Sequence, residues 1–346
     1  MKQTALKLLY FSGAFDLARL LNRRRAVILT YHRFSVDGDK GTTGASDFTK
    51  HLEYLLDRYQ VVSLSKLVSS LSAGESQSEK MAAITIDDGY LDAYEIAYPV
   101  LARYKVPATL FAVTGFIDRA CWMWPDKMRY ITSRSNAKSF NSNIKGSEKR
   151  FDLGDKTSRL EAAESVNSEL KRLDEDSREK LLARFSVDLG VELPSKAPTG
   201  YEAITWDHAR GMDAAGIEIS SHTQSHPILT NCTDARLRAE LNESRIRLEE
   251  MLGRRVEQFC YPNGNYSERV YREVARAGYR VAVTTDDGLV SPGDDPLRLK
   301  RVHTQQDLVH FAQSTSGFEL LKEKIRKRGR EDRNLFALNH AKPHAK

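Results

Sequence analysis

Two pairs of adjacent aspartates, Asp87-Asp88 in ITIDDGY and Asp286-Asp287 in VTTDDGL, each follow an apolar, β-branched run. Two histidines, His222 and His226, stand four residues apart in SSHTQSH. Neighbouring ionised carboxylates repel, so a fold that holds them together relieves the cost with a cation, a proton or water. Two imidazoles on a loop directly after a buried strand can converge on one cation, and a carboxylate from another strand end completes three protein ligands. With one coordination position left open, that donor set is catalytic rather than structural. Only one aspartate of a pair is needed as ligand, and the other is free to act as base on water that the cation has acidified. The second DDG has no histidine pair beside it and runs into the Pro/Gly-rich LVSPGDDP, so Asp286 and Asp287 are read as turn residues.

To be useful together, these residues need strands that end at one rim. AVILTYHRF (26–34) reads as a buried first strand carrying His32 at its end. DFTKHLEYLLDRY has apolar residues at helical spacing; short strand and helix follow at Gln60–Leu64 and Ser65–Leu71. Then come the strand into Asp87, a helix over LDAYEIAYPVLARYKV and a strand in PATLFAVTGF. From about 118 to 199 the chain turns polar and is read as an insertion, with SRSNAKSFNSNIKGSEKR as loop and the region from Thr157 to Phe185 as helices. Alternation resumes with a helix at Thr205, the strand GIEISSH and a charged helix from Asp234 to Leu252. VEQFCYP, the helix SERVYREVARAG, YRVAVTT and LRLKRV complete the pattern. Seven or eight strands mostly followed by helices predict an α/β chain forming a distorted or incomplete (β/α) barrel, with functional side chains at the C-terminal strand ends.

A chain of 346 residues, 40% hydrophobic and 29% charged, has ample core and is neither disordered nor fibrous. We divide it into a basic amphipathic segment at 1–25, the barrel at 26–310 and a basic tail at 311–346. The net charge of +6 is concentrated at the two ends, which does not suggest a nucleic-acid partner. Cys121, Cys232 and Cys260 form no Cys-x-x-Cys pair, favouring a reducing, cytoplasmic setting, and the N-terminus lacks the marks of a cleaved signal peptide. Leu6, Leu9, Tyr10, Leu17, Leu20 and Leu21 fall at roughly helical spacing among basic residues, so the first segment either packs on the barrel or lies on a membrane face.

TIDDGY, SHTQSH and FCYPNG, in this order, resemble the polysaccharide deacetylase family (NodB-homology domain, carbohydrate esterase family 4), and the resemblance runs from about Ala26 to Val302. It implies a distorted barrel that uses a divalent metal, commonly zinc with cobalt or nickel as alternatives. It also implies hydrolysis of N-acetyl or related N-acyl groups on amino sugars of a polysaccharide or a lipid-linked precursor. By motif position Asp87 is the expected base, Asp88, His222 and His226 the metal ligands, and Tyr261, Pro262 and Asn263 the substrate and oxyanion side. The chain also departs from the family. The arginine that orients the base in many members is replaced at Cys260 or Tyr261, leaving Arg301 as a weaker candidate. The late leucine-x-histidine motif is not clear, so His303 and His32 are both candidates for the proton donor. Trp124, in CWMWPDKMRY, is a candidate for stacking on sugar. An inactive glycan-binding protein and a hydrolase of non-sugar linear amides remain as alternatives on the same fold.

Overall fold

Seven parallel strands pair each with the next in sequence and close on themselves in a computed structural model that describes residues 3–73, 80–305 and 307–322. They are β1 (Val27–Tyr31), β2 (Met81–Asp88), β3 (Ala108–Ala112), β4 (Ile217–Ser221), β5 (Gln258–Cys260), β6 (Val281–Asp287) and β7 (Leu299–His303). Closure is at β1, whose Leu29 lies beside Ile84 of β2 on one side and Val302 of β7 on the other. The short strand Gln60–Val61 pairs only with the start of β2 and stays outside the ring. The barrel is therefore closed, with seven strands.

Strand periodicity divides the core in two. Ile28, Ala83, Cys260, Val283 and Leu299 share one buried cluster. Their neighbours Val27, Leu29, Ala82 and Ile84 join a larger cluster with helix residues such as Leu52, Leu55 and Leu101. All eight residues of β2 are buried, so its terminal aspartates are carried into the protein by an apolar run. The helix expected over LDAYEIAYPVLARYKV forms, with a π-helical stretch at Ala93–Ala97 that runs directly into an α-helix at Tyr98–Tyr104. Pro99, which has no N–H to donate, sits in the first turn of the α-helix, where the π-helical stretch ends.

The insertion contains more structure than its polarity suggested. Within the stretch read as loop, Ser139–Ile144 and Ser147–Asp152 form an antiparallel hairpin. Phe140, Ser142 and Ile144 alternate inward, and Lys145 and Gly146, both at positive φ, make the two-residue turn. Helices Trp124–Arg134, Lys156–Leu170 and Glu175–Asp188 pack with it around a separate core that includes Met128, Phe140, Leu170, Leu182 and Phe185.

At the N-terminus, helices Gln3–Phe11 and Ala14–Leu21 rest on the helix Leu308–Ser316, burying Leu6, Phe15 and Ala18. Most of the basic tail, from 323 onward, lies outside the described residues. Among the described residues no helix is long and apolar enough to cross a membrane.

Candidate active site

Side chains alternate along a strand, and that separates the two aspartates at the end of β2. Asp87 points among the inward residues and receives both terminal nitrogens of Arg301, at 2.8 Å each. Asp88 bends the chain into positive φ, 78°, and its Oδ1 faces the Nε2 atoms of His222 at 3.4 Å and His226 at 3.5 Å. Four of the seven non-glycine residues at positive φ among the described residues are Asp88, Thr223, His226 and Asn263. Backbone strain thus gathers at one end of the barrel, as it does where a site is over-determined by its surroundings.

The histidine loop is held from two sides. The N–H groups of Thr114 and Gly115 donate to the carbonyls of Thr223 and Gln224, and a Cβ at position 115 would come within 2.6 Å of the Gln224 carbonyl, so the close approach needs glycine. On the other side the fully buried Glu240 accepts the N–H groups of Gln224 and Ser225 at 2.8 and 2.9 Å, the Ser225 hydroxyl at 2.6 Å, and a 2.8 Å ion pair from Arg236. Sequence reading assigned no role to this charged helix. The available signal was an acid at position 240 on the stripe formed by Leu237, Leu241, Ser244 and Leu248.

Electrostatics make the three-residue cluster chemically specific. His222 donates through Nδ1 to the Cys260 carbonyl at 2.8 Å and presents Nε2 to Asp88. Burial pushes this imidazole down, but Cys260 and the hydrogen bond to Asp88 outweigh it and raise it well above the ordinary value, so a cation bound here would displace the Nε2 proton. The donor atoms of Asp88, His222 and His226 all lie within 4.8 Å of one another and the three residues are buried. Burial, followed by the neighbouring His222, holds the His226 imidazole down at about 3, in the neutral form a metal requires. Burial raises the Asp88 carboxyl, but its hydrogen bond to His222 and the charges of His226, His32 and His222 more than reverse this and leave it below the ordinary carboxylate value. Two imidazole nitrogens and a carboxylate oxygen that converge in a buried space are a donor set that fits a divalent metal.

Asp87 is held differently. Burial pushes its carboxyl up, and the charge and hydrogen bonds of Arg301 outweigh it and hold it at about 2. Arg301 is itself fully buried, donating to the Thr284 carbonyl at 2.8 Å and to the Thr85 hydroxyl at 3.0 Å, with Cys260 Sγ at 3.3 Å. A small thiol at position 260 therefore leaves the space that an arginine reaching from β7 fills. His32 stands at the mouth, with Nε2 3.6 Å from Asp87 Oδ2 and a half-exposed ring. His303 is exposed and turned to the Thr285 carbonyl at 3.0 Å through its Nε2.

On the third side, the Tyr261 N–H is bonded to the Val283 carbonyl at 3.2 Å and its hydroxyl to the Leu297 carbonyl at 3.1 Å, so neither is turned to an oxyanion. Pro262 is buried, and the side-chain nitrogen of Asn263 is buried with no protein partner among the described residues. Trp124 does not present a stacking face. Its ring is in the insertion's core beneath Arg178, at 4.6 Å, because the helix it begins packs there. The second aspartate pair is exposed at the end of β6, where Tyr266 donates to Asp286 at 3.2 Å and no histidine pair accompanies it.

Comparison with known proteins adds to this geometry. Residues 74–282 match the family model described as polysaccharide deacetylase. A Bacillus subtilis relative that carries the polysaccharide deacetylase name, YxkH, is 23% identical over 276 residues, spanning 80% of this chain and 70% of its own. Among solved structures, the Streptococcus pyogenes deacetylase PplD in complex with acetate superposes with a TM-score of 0.58 at 18% identity, covering 85% of this chain and 99% of that one. IcaB from Ammonifex degensii gives 0.55 at 18% identity, covering 84% and 97%. At these identities the two structures speak for the shared barrel fold.

Proposed function

Because the chain belongs to the polysaccharide deacetylase family, hydrolases of N-acetyl amide bonds, we propose that it removes N-acetyl groups from an amino-sugar glycan or its lipid-linked precursor in a metal-dependent reaction. One observation carries this reading: the buried ligand atoms of Asp88, His222 and His226 face one another beside a carboxylate, Asp87, that is held ionised by Arg301. The acetate named with the streptococcal structure is the product such a reaction releases. Acetyl is accordingly the acyl group we assign.

Asp88, His222 and His226 would hold the cation, and the donor set suits zinc, with cobalt and nickel as close alternatives. When bound, a divalent cation there supplies Lewis acidity for water and for the amide carbonyl. Asp87 takes the proton from the attacking water. A carboxylate held at about 2 is a weak base, sufficient for water already acidified, and the bidentate Arg301 keeps its oxygens fixed in direction. His32, at the mouth beside Asp87, is assigned the proton for the departing amine. His303 has its Nε2 committed to Thr285 and lines the mouth. Asn263, with its unpaired buried amide, replaces the Tyr261 N–H as the donor toward substrate. Unpaired Cys121, Cys232 and Cys260 support work in a reducing compartment, on the cytoplasmic side of a membrane.

Acetate release from N-acetylglucosamine oligomers and from lipid-linked amino sugars tests the proposal. Asp87→Asn should abolish release while retaining bound metal. Full activity in that variant would move the base elsewhere.

A further inference from the structure

The two N-terminal helices are apolar on both sides, whereas a helix resting on a barrel needs only one apolar stripe. Leu6, Phe15 and Ala18 are buried against the helix Leu308–Ser316, yet Phe11 is 80% exposed, Leu8 67%, Leu21 60%, Leu17 57% and Leu20 56%. These five are a majority of the nine large hydrophobic side chains exposed among the described residues. Leu17, Leu20 and Leu21 share one face of their helix, opposite Phe15 and Ala18, and Leu8 and Phe11 lie opposite Leu6. Both helices rest on the same support and touch each other, so their outer faces turn the same way and form one apolar surface.

Its charged border is mostly basic. Residues 3–25 contain Lys7, Arg19, Arg23, Arg24 and Arg25 against a single acid, Asp16, which Arg19 engages. Lys7, Arg23 and Arg24 are exposed. We propose that this face docks on a bilayer carrying anionic headgroups, with the leucines and Phe11 entering the interface and the arginines meeting the lipid charge. A second copy of the chain suits the face less well, since a two-fold contact would bring two arginine clusters together. The arginines lead directly into the start of β1, at the base of the barrel, while His32 and Asp87 lie at the opposite strand ends. Docking there leaves the mouth open to a substrate.

The proposal concerns binding and does not rest on the deacetylase mechanism. The test is co-sedimentation of the full chain with vesicles of phosphatidylcholine alone or mixed with phosphatidylglycerol. Binding is expected with the mixed vesicles and should weaken as salt is raised. Arg23→Gln with Arg24→Gln should lower the partition roughly 30-fold, taking about 1 kcal/mol for each basic residue near an anionic surface. Phe11→Ser with Leu20→Ser should lower it more than about tenfold. Both variants alter exposed side chains, so their melting temperatures should match the unaltered chain. Three results would each overturn the proposal: no binding to either vesicle at low salt, equal binding by the variants, or a concentration-dependent dimer that Phe11→Ser with Leu20→Ser abolishes.

Discussion

Replacing Arg301 by methionine removes a guanidinium that is fully buried and donates to Asp87 twice, to Thr85 and to the Thr284 carbonyl. Removing one partner of such a pair leaves the other charge buried and unmatched, which costs roughly 3–5 kcal/mol. Holding the Asp87 carboxyl at about 2 instead of 3.8 accounts for on the order of 2 kcal/mol of that. In a chain of this length, about 2 °C per kcal/mol converts the loss to a fall of roughly 6–10 °C in Tm. Urea unfolding of chelator-treated protein measures the difference without any bound metal. Asp87→Asn should also destabilise, and the double variant should be more stable than the sum of the two losses by about 1–3 kcal/mol. Because the folded-state value is depressed, the stabilisation is complete above the ordinary carboxylate value and is lost as pH falls through about 2. With Arg301 gone, burial is left to push the Asp87 carboxyl up in the variant, so the gap between Arg301→Met and the unaltered chain should be widest near pH 7 and narrow as pH falls through that raised value. A loss under about 0.5 kcal/mol at about pH 7, or a gap that widens as pH falls, would refute the buried-pair argument.

Glu240→Gln keeps the shape of the side chain but weakens its hold on the histidine loop. Zinc affinity should fall about 10–100-fold with the far-ultraviolet spectrum unchanged, and an unaltered affinity would remove Glu240 from the site's support. His32→Asn should lower kcat by about 100-fold or more at constant metal content, and His303→Asn by less than about tenfold, measured by acetate release. The reverse order would exchange their roles. Trp124→Ala should destabilise by about 3–5 kcal/mol in urea with little change in KM, as expected of a core residue, and a raised KM at normal stability would return it to the substrate.

Legibility in the sequence followed the physics of each feature. Strands such as MAAITIDD announce themselves because continuous apolar runs end in charged residues, and the histidine pair is local, four residues in one loop. The support for these groups is long-range and was harder to see. Arg301 is 214 positions from Asp87, and they meet only because the ring closes. Glu240 was hidden in a helix so rich in charge that one buried acid did not stand out. The hairpin at 139–152 escaped notice because its second strand, SEKRFD, is almost wholly exposed and largely charged, and only Phe140 and Ile144 carry an apolar alternation in the first. Trp124 was misplaced because a tryptophan in polar company can owe its burial to helices that follow it in the chain.

Metal content of the purified chain tests the central claim most directly. Protein prepared without chelator should carry close to one equivalent of a divalent metal, and Asp88→Ala and His222→Ala should each carry almost none while remaining folded. Full metal content in either variant would contradict the assignment of Asp88, His222 and His226 as the ligands.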